Sequence, residues 1–247
     1  MSTLNENDLL QPAPRRKMLR TSGLGPSREA QAARGTAPWN PLHFAEEQIR
    51  WLVRQVFFPG WPRPARHVVF SPVDPNTKVA EISMEVGRVL STQISGAVCL
   101  IEANAHNPEL ESLLGEIPAS GSGHDGVGSL RNSARRISSK LWLAPLALLL
   151  GENGGGLSLA WLGRRLSDFR LEFDYTILHA PPAGLYSETT ILGRLNDGVA
   201  LVIEAHRTRR VTAQKAKEIL QAANVKVLGT VLSERTFPIP EAIYRRL

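Results

Sequence analysis

The sequence predicts a three-layer, doubly wound α/β domain built on a mainly parallel sheet. Three observations carry this prediction. Short, near-continuous apolar runs recur along the chain, as in strands that are buried on both faces. Between them lie segments whose apolar residues repeat at helical spacing. The links between the two kinds of segment are short, as in a strand–helix–strand wind.

The elements follow in order. Residues 1–40 mix Arg15, Arg16, Lys17, Arg20, Arg28 and Arg34 with Pro12, Pro14, Pro26 and Pro38, and show no apolar period. That composition predicts a disordered basic tail, with one folded domain over 41–247. Order is expected to begin near Trp39. Ile49, Leu52, Val53 and Val56 fall at i, i+3, i+4 and i+7, which predicts an amphipathic helix ended by Pro59, Pro62 and Pro64. Strands are predicted at His67–Phe70, Ala97–Ile101, Leu141–Leu146, Tyr175–Leu178, Val199–Ile203 and Val225–Leu232. Helical stripes separate them: Ile82, Val86, Val89 and Leu90; Leu159, Leu162, Leu166 and Phe169; Ala216, Ile219, Leu220 and Ala223. Ser120–Gly128 and Gly151–Gly156 read as flexible, glycine-rich loops. In an open α/β sheet ligands sit beyond the carboxyl ends of strands. The places to look are therefore the ends after Phe70, Ile101 and Leu178.

Composition bounds the function. The 247 residues suffice for a substantial core, and 43% hydrophobic with 21% charged residues is ordinary for a globular domain. The net charge of +6 admits acidic partners, although a moderate positive charge commonly serves solubility alone. The lone Cys99 excludes an intramolecular disulfide and sits in an apolar run, as a buried thiol would; a cytoplasmic location fits that usage. The first twenty residues have no apolar h-region. The apolar run Leu141–Leu150 is interrupted by Pro145 and falls short of the roughly 20 residues that span a bilayer. Contact with a membrane is expected only through a partner.

Two segments carry a resemblance to a known family. Glu102-Ala-Asn-Ala-His-Asn-Pro-Glu-Leu-Glu-Ser-Leu-Leu-Gly115 resembles the stretch in which bacterial capsule-synthesis tyrosine kinases carry Asp-Ala-Asp-Leu-Arg-Arg-Pro. Phe173-Asp-Tyr-Thr-Ile-Leu-His-Ala-Pro-Pro182 resembles their Phe-Asp-Tyr-Val-Ile-Ile-Asp-Thr-Pro-Pro. Leu195–Ile203 and Val227–Leu232 are similar to the next two strands, so the likeness runs collinearly from about Phe44 to Leu232. It implies a P-loop NTPase fold of the MinD/ParA-like kind, with ATP and magnesium as the family's cofactors.

The resemblance also implies where a nucleotide site would lie, and there the residues differ. A phosphate loop needs glycines whose N–H groups face the phosphates, a lysine, and a hydroxyl on magnesium. Lys78 stands at the lysine position. Thr77 and Pro75 stand at glycine positions, and Val79 replaces the magnesium-binding hydroxyl. Pro75 lacks an N–H, and Asp74 adds a negative charge where phosphate would lie. Glu102 and Asn104 occupy the places of two family aspartates, and His179 replaces the strand-end aspartate. Magnesium prefers hard oxygen donors to imidazole. The candidate ligand-binding residues are thus Lys78, Thr77, Val79, Glu102, Asn104 and His179. No catalytic residue and no resident metal are assigned. Glu102, His106 and His179 are of the types that ligate zinc, but their spacing matches no compact ligand signature. Lys78 keeps open a residual anion site at a helix N-terminus.

Two further family features are incomplete. The family's tyrosine-rich tail is represented by Tyr244 alone. Of its oligomerising Glu-x-x-Arg-x-x-Arg, Glu47 and Arg50 match, Val53 takes the third place and Arg54 follows. The expected function is a non-catalytic regulator or assembly partner in exopolysaccharide synthesis. It would dock on an inner-membrane chain-length or export protein, through the Trp39–Phe58 region. The alternative is an active ATP-dependent tyrosine kinase with an atypical nucleotide site. Nucleic acid is not expected as a partner, and Pro238 and Pro240 interrupt any C-terminal membrane helix.

Overall fold

Each apolar run becomes a strand, and the strands assemble side by side. The computed structural model describes residues 41–58, 64–115, 129–151 and 158–234. The predicted tail over 1–40, the glycine-rich segments at 120–128 and 152–156, and Tyr244 lie outside the described residues. The chain runs through helix α1 (Pro41–Phe57), strand β1 (His67–Pro72), α2 (Val79–Gln93) and β2 (Val98–Glu102). A 3-10 turn (Ser112–Leu114) follows, then α3 (Leu130–Ser133), β3 (Arg135–Arg136), β4 (Leu141–Ala144) and α4 (Leu146–Leu150). The last part comprises α5 (Leu159–Glu172), β5 (Tyr175–His179), α6 (Glu188–Leu195), β6 (Gly198–Glu204), α7 (Arg210–Ala222) and β7 (Val227–Ser233).

Among the described residues the sheet has seven strands in the order β3-β4-β2-β5-β1-β6-β7. Every pairing is parallel except that of the two-residue β3 with β4. The core divides as strand alternation dictates. Val68, Phe70, Val98 and Leu100 face one side, where Val53 and Phe57 of α1 and Val86 and Leu90 of α2 cover them. Val69, Cys99, Ile101 and Leu178 face the other, under Leu162, Leu166 and Phe169 of α5, Leu192 of α6 and Leu220 of α7. Phe57 is anchored by an edge-to-face contact with Tyr175, ring centroids 6.0 Å apart. Fully burying side chains such as Val53 and Phe57 stabilises by about 1.5–3 kcal/mol each, which explains why α1 is held to the sheet.

Several details depart from the sequence reading. The run from Leu141 ends as a strand at Ala144, because Pro145 turns the chain into α4. Helices α3 and α6 and strand β3 have no counterpart in the sequence reading. Leu159 and Ile219, both in the predicted stripes, are exposed at 54% and 44%, so the buried faces of α5 and α7 are narrower than the stripes suggest. No helix among the described residues is long and apolar enough to cross a membrane.

Candidate functional site at the strand ends

The topology brings three carboxyl ends together. β5 lies between β2 and β1, and its last residue, His179, pairs in register with Glu102 on one side and Phe70 on the other. The three strand ends singled out from the sequence are therefore neighbours.

Glu102 and His179 are both buried, with Nδ1 of His179 2.9 Å from Oε1 of Glu102. Oε1 also accepts the amide of Asn104 at 2.9 Å, and Oε2 accepts the amide of Leu110 at 2.9 Å. Both carboxylate oxygens thus hold down the loop that follows β2. A buried carboxylate must be paired and hydrogen-bonded, and this one is satisfied wholly from within the protein. Asn104 continues the pattern: its Oδ1 accepts the amides of His106 and Asn107, each at 3.2 Å, closing an Asx turn.

His106 leaves the pair. Its Nε2 lies 3.0 Å from Oε1 of Glu188, the first residue of α6, and its ring stacks on Tyr186 at 3.7 Å between centroids. Burial opposes ionisation of Glu188, but hydrogen bonds from its own amide and from His106 outweigh it and hold the carboxyl below the usual range. Glu102, His106 and His179 are consequently not brought together as a ligand set. Among the described residues no group of three or more metal-ligating side chains converges. Tyr186 and Glu188 were not singled out from the sequence; they lie 80 or more positions from His106, and only the Ser187-Glu188 helix start hints at them.

The β1–α2 connection is tied internally. The Thr77 amide donates to the Asp74 carbonyl at 3.3 Å, and the Val79 amide donates to the Thr77 carbonyl at 2.8 Å. The Asp74 carboxylate accepts the Thr208 hydroxyl from the turn between β6 and α7, and Thr208 in turn accepts the Glu204 amide at 2.9 Å. Val79 is fully buried in the core beneath α2. Thr77 Oγ1 is buried and has no hydrogen-bond partner among the described residues. Lys78 immediately precedes α2, is largely exposed, and places its ammonium 3.6 Å from Glu81 on the same helix. On the far side of β1, Ser71 Oγ and Thr189 Oγ1 both donate to the Pro181 carbonyl, at 2.7 and 2.6 Å. These bonds fasten the end of β1 to the Pro181-Pro182 turn and the start of α6.

Comparison with known proteins bears on the fold. No protein-family model matches the chain. Tyrosine-protein kinase CpsD of Streptococcus agalactiae is 33% identical over 78 residues, 32% of this chain and 34% of that protein. Tyrosine-protein kinase YwqD of Bacillus subtilis is 32% identical over 77 residues, 31% of this chain and 32% of that one. The matches thus span about a third of the curated relatives. Among solved structures, the VpsO kinase domain superposes with a TM-score of 0.64 at 16% identity, covering 79% of this chain and 98% of that one. The kinase domain of the Escherichia coli tyrosine kinase ETK gives 0.57 at 15% identity, covering 81% and 75%. MinD in its complex with MinC from Aquifex aeolicus gives 0.54 at 13%, covering 68% and 67%. The chain has homologues among the bacterial capsule tyrosine kinases, and its fold is that of their kinase domains and of MinD-type P-loop NTPases.

Proposed function

We propose that the protein is a non-catalytic, kinase-like regulator or assembly partner in capsule or exopolysaccharide synthesis, docking on a membrane chain-length or export protein. The observation that carries this reading is the internal saturation of Glu102. Its two oxygens serve Asn104, Leu110 and His179, where a magnesium-binding acid would need to offer one outward. The residues present do not fit a magnesium–nucleotide group. His179 occupies a strand end with an imidazole already engaged, and Val79 is a core residue. The amides of Thr77 and Val79 donate within their own loop, Pro75 has none, and the Asp74 carboxylate lies in the same turn. Phosphoryl transfer depends on metal and cationic clamping of phosphate charge, so no transfer step is derived. The capsule context comes from the resemblance of Glu102–Gly115 and Phe173–Pro182 to capsule-synthesis tyrosine kinases, and the homologues are tyrosine-protein kinases.

Calorimetric titration of ATP with and without magnesium tests the first half. The expected result is no magnesium-enhanced binding; micromolar, Lys78-dependent, magnesium-enhanced binding overturns it. Co-expression with a membrane chain-length protein tests the second. Failure to co-purify with or alter such a polysaccharide machine sinks it.

One observation favours the alternative, an active ATP-dependent tyrosine kinase. Thr77 Oγ1 is left without a partner in a buried position beside Lys78, as though a ligand oxygen belonged there. The same titration decides between the two.

A further inference from the structure

A groove lined by none of the candidate site residues runs along α7. Its volume is about 470 Å³, and it runs between α7 and the outer strands of the sheet. Leu201 and Ile203 of β6 and Thr230 of β7 form the floor. Thr230 pairs in register with Leu201 and Leu232 with Ile203, so alternation puts all four on the α7 side of the sheet. There α7 covers Leu201, whereas Leu232 stays 50% exposed. A doubly wound sheet ordinarily covers such a face with a helix.

The wall sets the charge of the occupant. Arg210, Gln214 and Lys217 of α7 line it at i, i+4 and i+7, one face over two turns. Among the described residues neither Arg210 nor Lys217 has an ion-pair partner. The groove's acid, Glu218, is engaged by Gln214 at 3.0 Å. Two unpaired cations spaced two turns apart above a partly apolar floor complement a helix with carboxylates at that spacing and an adjacent apolar stripe.

We infer that this groove docks an acidic amphipathic helix of a partner protein. The inference rests on the docking role proposed above and adds to it a surface separate from the Trp39–Phe58 region expected from the sequence; it does not depend on the state of the nucleotide site.

The test uses the full chain and a fluorescein-labelled peptide of about 18 residues, roughly five helical turns. The peptide carries leucine on one face and glutamates two turns apart on its flank. A second peptide has lysine for each glutamate. Saturable anisotropy binding of the acidic peptide is expected, with amide shift changes at Leu201, Ile203 and Thr230. Arg210→Glu with Lys217→Glu should weaken it by about tenfold or more, equivalent to about 1.4 kcal/mol, while Lys217→Arg preserves it. Circular dichroism checks that the exposed-site variants remain folded. No saturable binding, equal binding by the charge-reversed variant, or equal binding of the lysine peptide overturns the inference. Self-association of the chain that is lost in the charge-reversed variant would assign the groove to a second copy and overturn it too. None of these results alters the ATP titration, so the two readings fail separately.

Discussion

At Glu102 a single buried carboxylate accepts two backbone amides and faces an imidazole, and each bond closes a different loop end onto the sheet. Glu102→Ala would strand His179 and the Asn104 and Leu110 amides without a partner. Leaving a buried hydrogen-bonding group unpaired costs about 1–3 kcal/mol, so the three together cost about 3 kcal/mol or more. The expected outcome is a fall of that size in unfolding free energy, read by urea denaturation, with Glu102→Gln falling less because it keeps one acceptor oxygen. A loss under about 1 kcal/mol, the scale of a surface pair, would contradict the internal role. His67 makes the second case at this scale, far from the site. Burial, with Arg170 adding to it and Asp197 opposing, lowers its pKa from 6.5 to about 4. The sign follows from the folded value lying below the unfolded one. Between about pH 6.5 and 4 the unfolded chain binds the proton and the native chain does not, so stability is full above that window and falls through it with acid. After discounting for partial exposure, the loss is about 1–2 kcal/mol. His67→Gln, which still reaches Thr176, should remove that part of the acid sensitivity. Urea midpoints at neutral pH and at about pH 5 measure it; an unchanged pH slope in the variant rejects it.

Among the elements, α6 depends on closeness rather than on a wide apolar face. A Cβ built on Gly193 would come 2.5 Å from Val225 Cγ1 and 2.7 Å from Val199 Cγ2, well inside contact distance. Gly193→Ala should therefore destabilise by about 1–3 kcal/mol through overpacking, although alanine is the better helix former. Thermal denaturation checks it; a rise in Tm would mean that α6 shifts freely. The same short, glycine-tuned contact explains why α6 was not legible in the sequence. Leu192 is its one fully buried large side chain, too little to register a helical stripe. Five of the six legible strands, β1, β2, β4, β5 and β6, are almost wholly buried, which leaves near-continuous apolar runs; β7 kept its apolar run although it is largely half-buried or exposed. β3 was not legible, because its two residues, Arg135 and Arg136, form no apolar run, although they pair with Leu143 and Trp142 and Arg136 lies over the Trp142 ring. The helix ahead of β3 is held by Glu172, whose carboxylate accepts the amides of Leu130 and Arg131 at 2.8 Å. Burial opposes ionisation there, yet these bonds and the Ser129 hydroxyl keep Glu172 below its usual range. No local pattern announces such a cap, since its two ends lie more than forty positions apart.

For the molecule as a whole, the location of the candidate site was legible while its wiring was not. Strands β1, β2 and β5 of a parallel, doubly wound sheet all end on one edge, so Glu102 and His179 could be assigned to that edge from sequence. The bonds that bind His106 to Glu188 and Asp74 to Thr208 span separations of 82 and 134 positions, which no motif spacing encodes. These bonds make the strand-end region self-sufficient, which has a thermodynamic consequence for the whole domain. A ligand that binds the folded state stabilises it by RT ln(1 + [L]/Kd), about 2.7 kcal/mol at a hundredfold excess over Kd. For a domain of this size that amounts to roughly 5–10 °C in Tm. A working nucleotide site with micromolar affinity should therefore show such a shift with millimolar ATP and magnesium. Here the expected shift is under about 1 °C, equal with and without magnesium and unchanged in Lys78→Ala. A shift of several degrees that disappears in Lys78→Ala would show that the internal bonds open to admit a ligand, and the regulator reading would give way to the kinase.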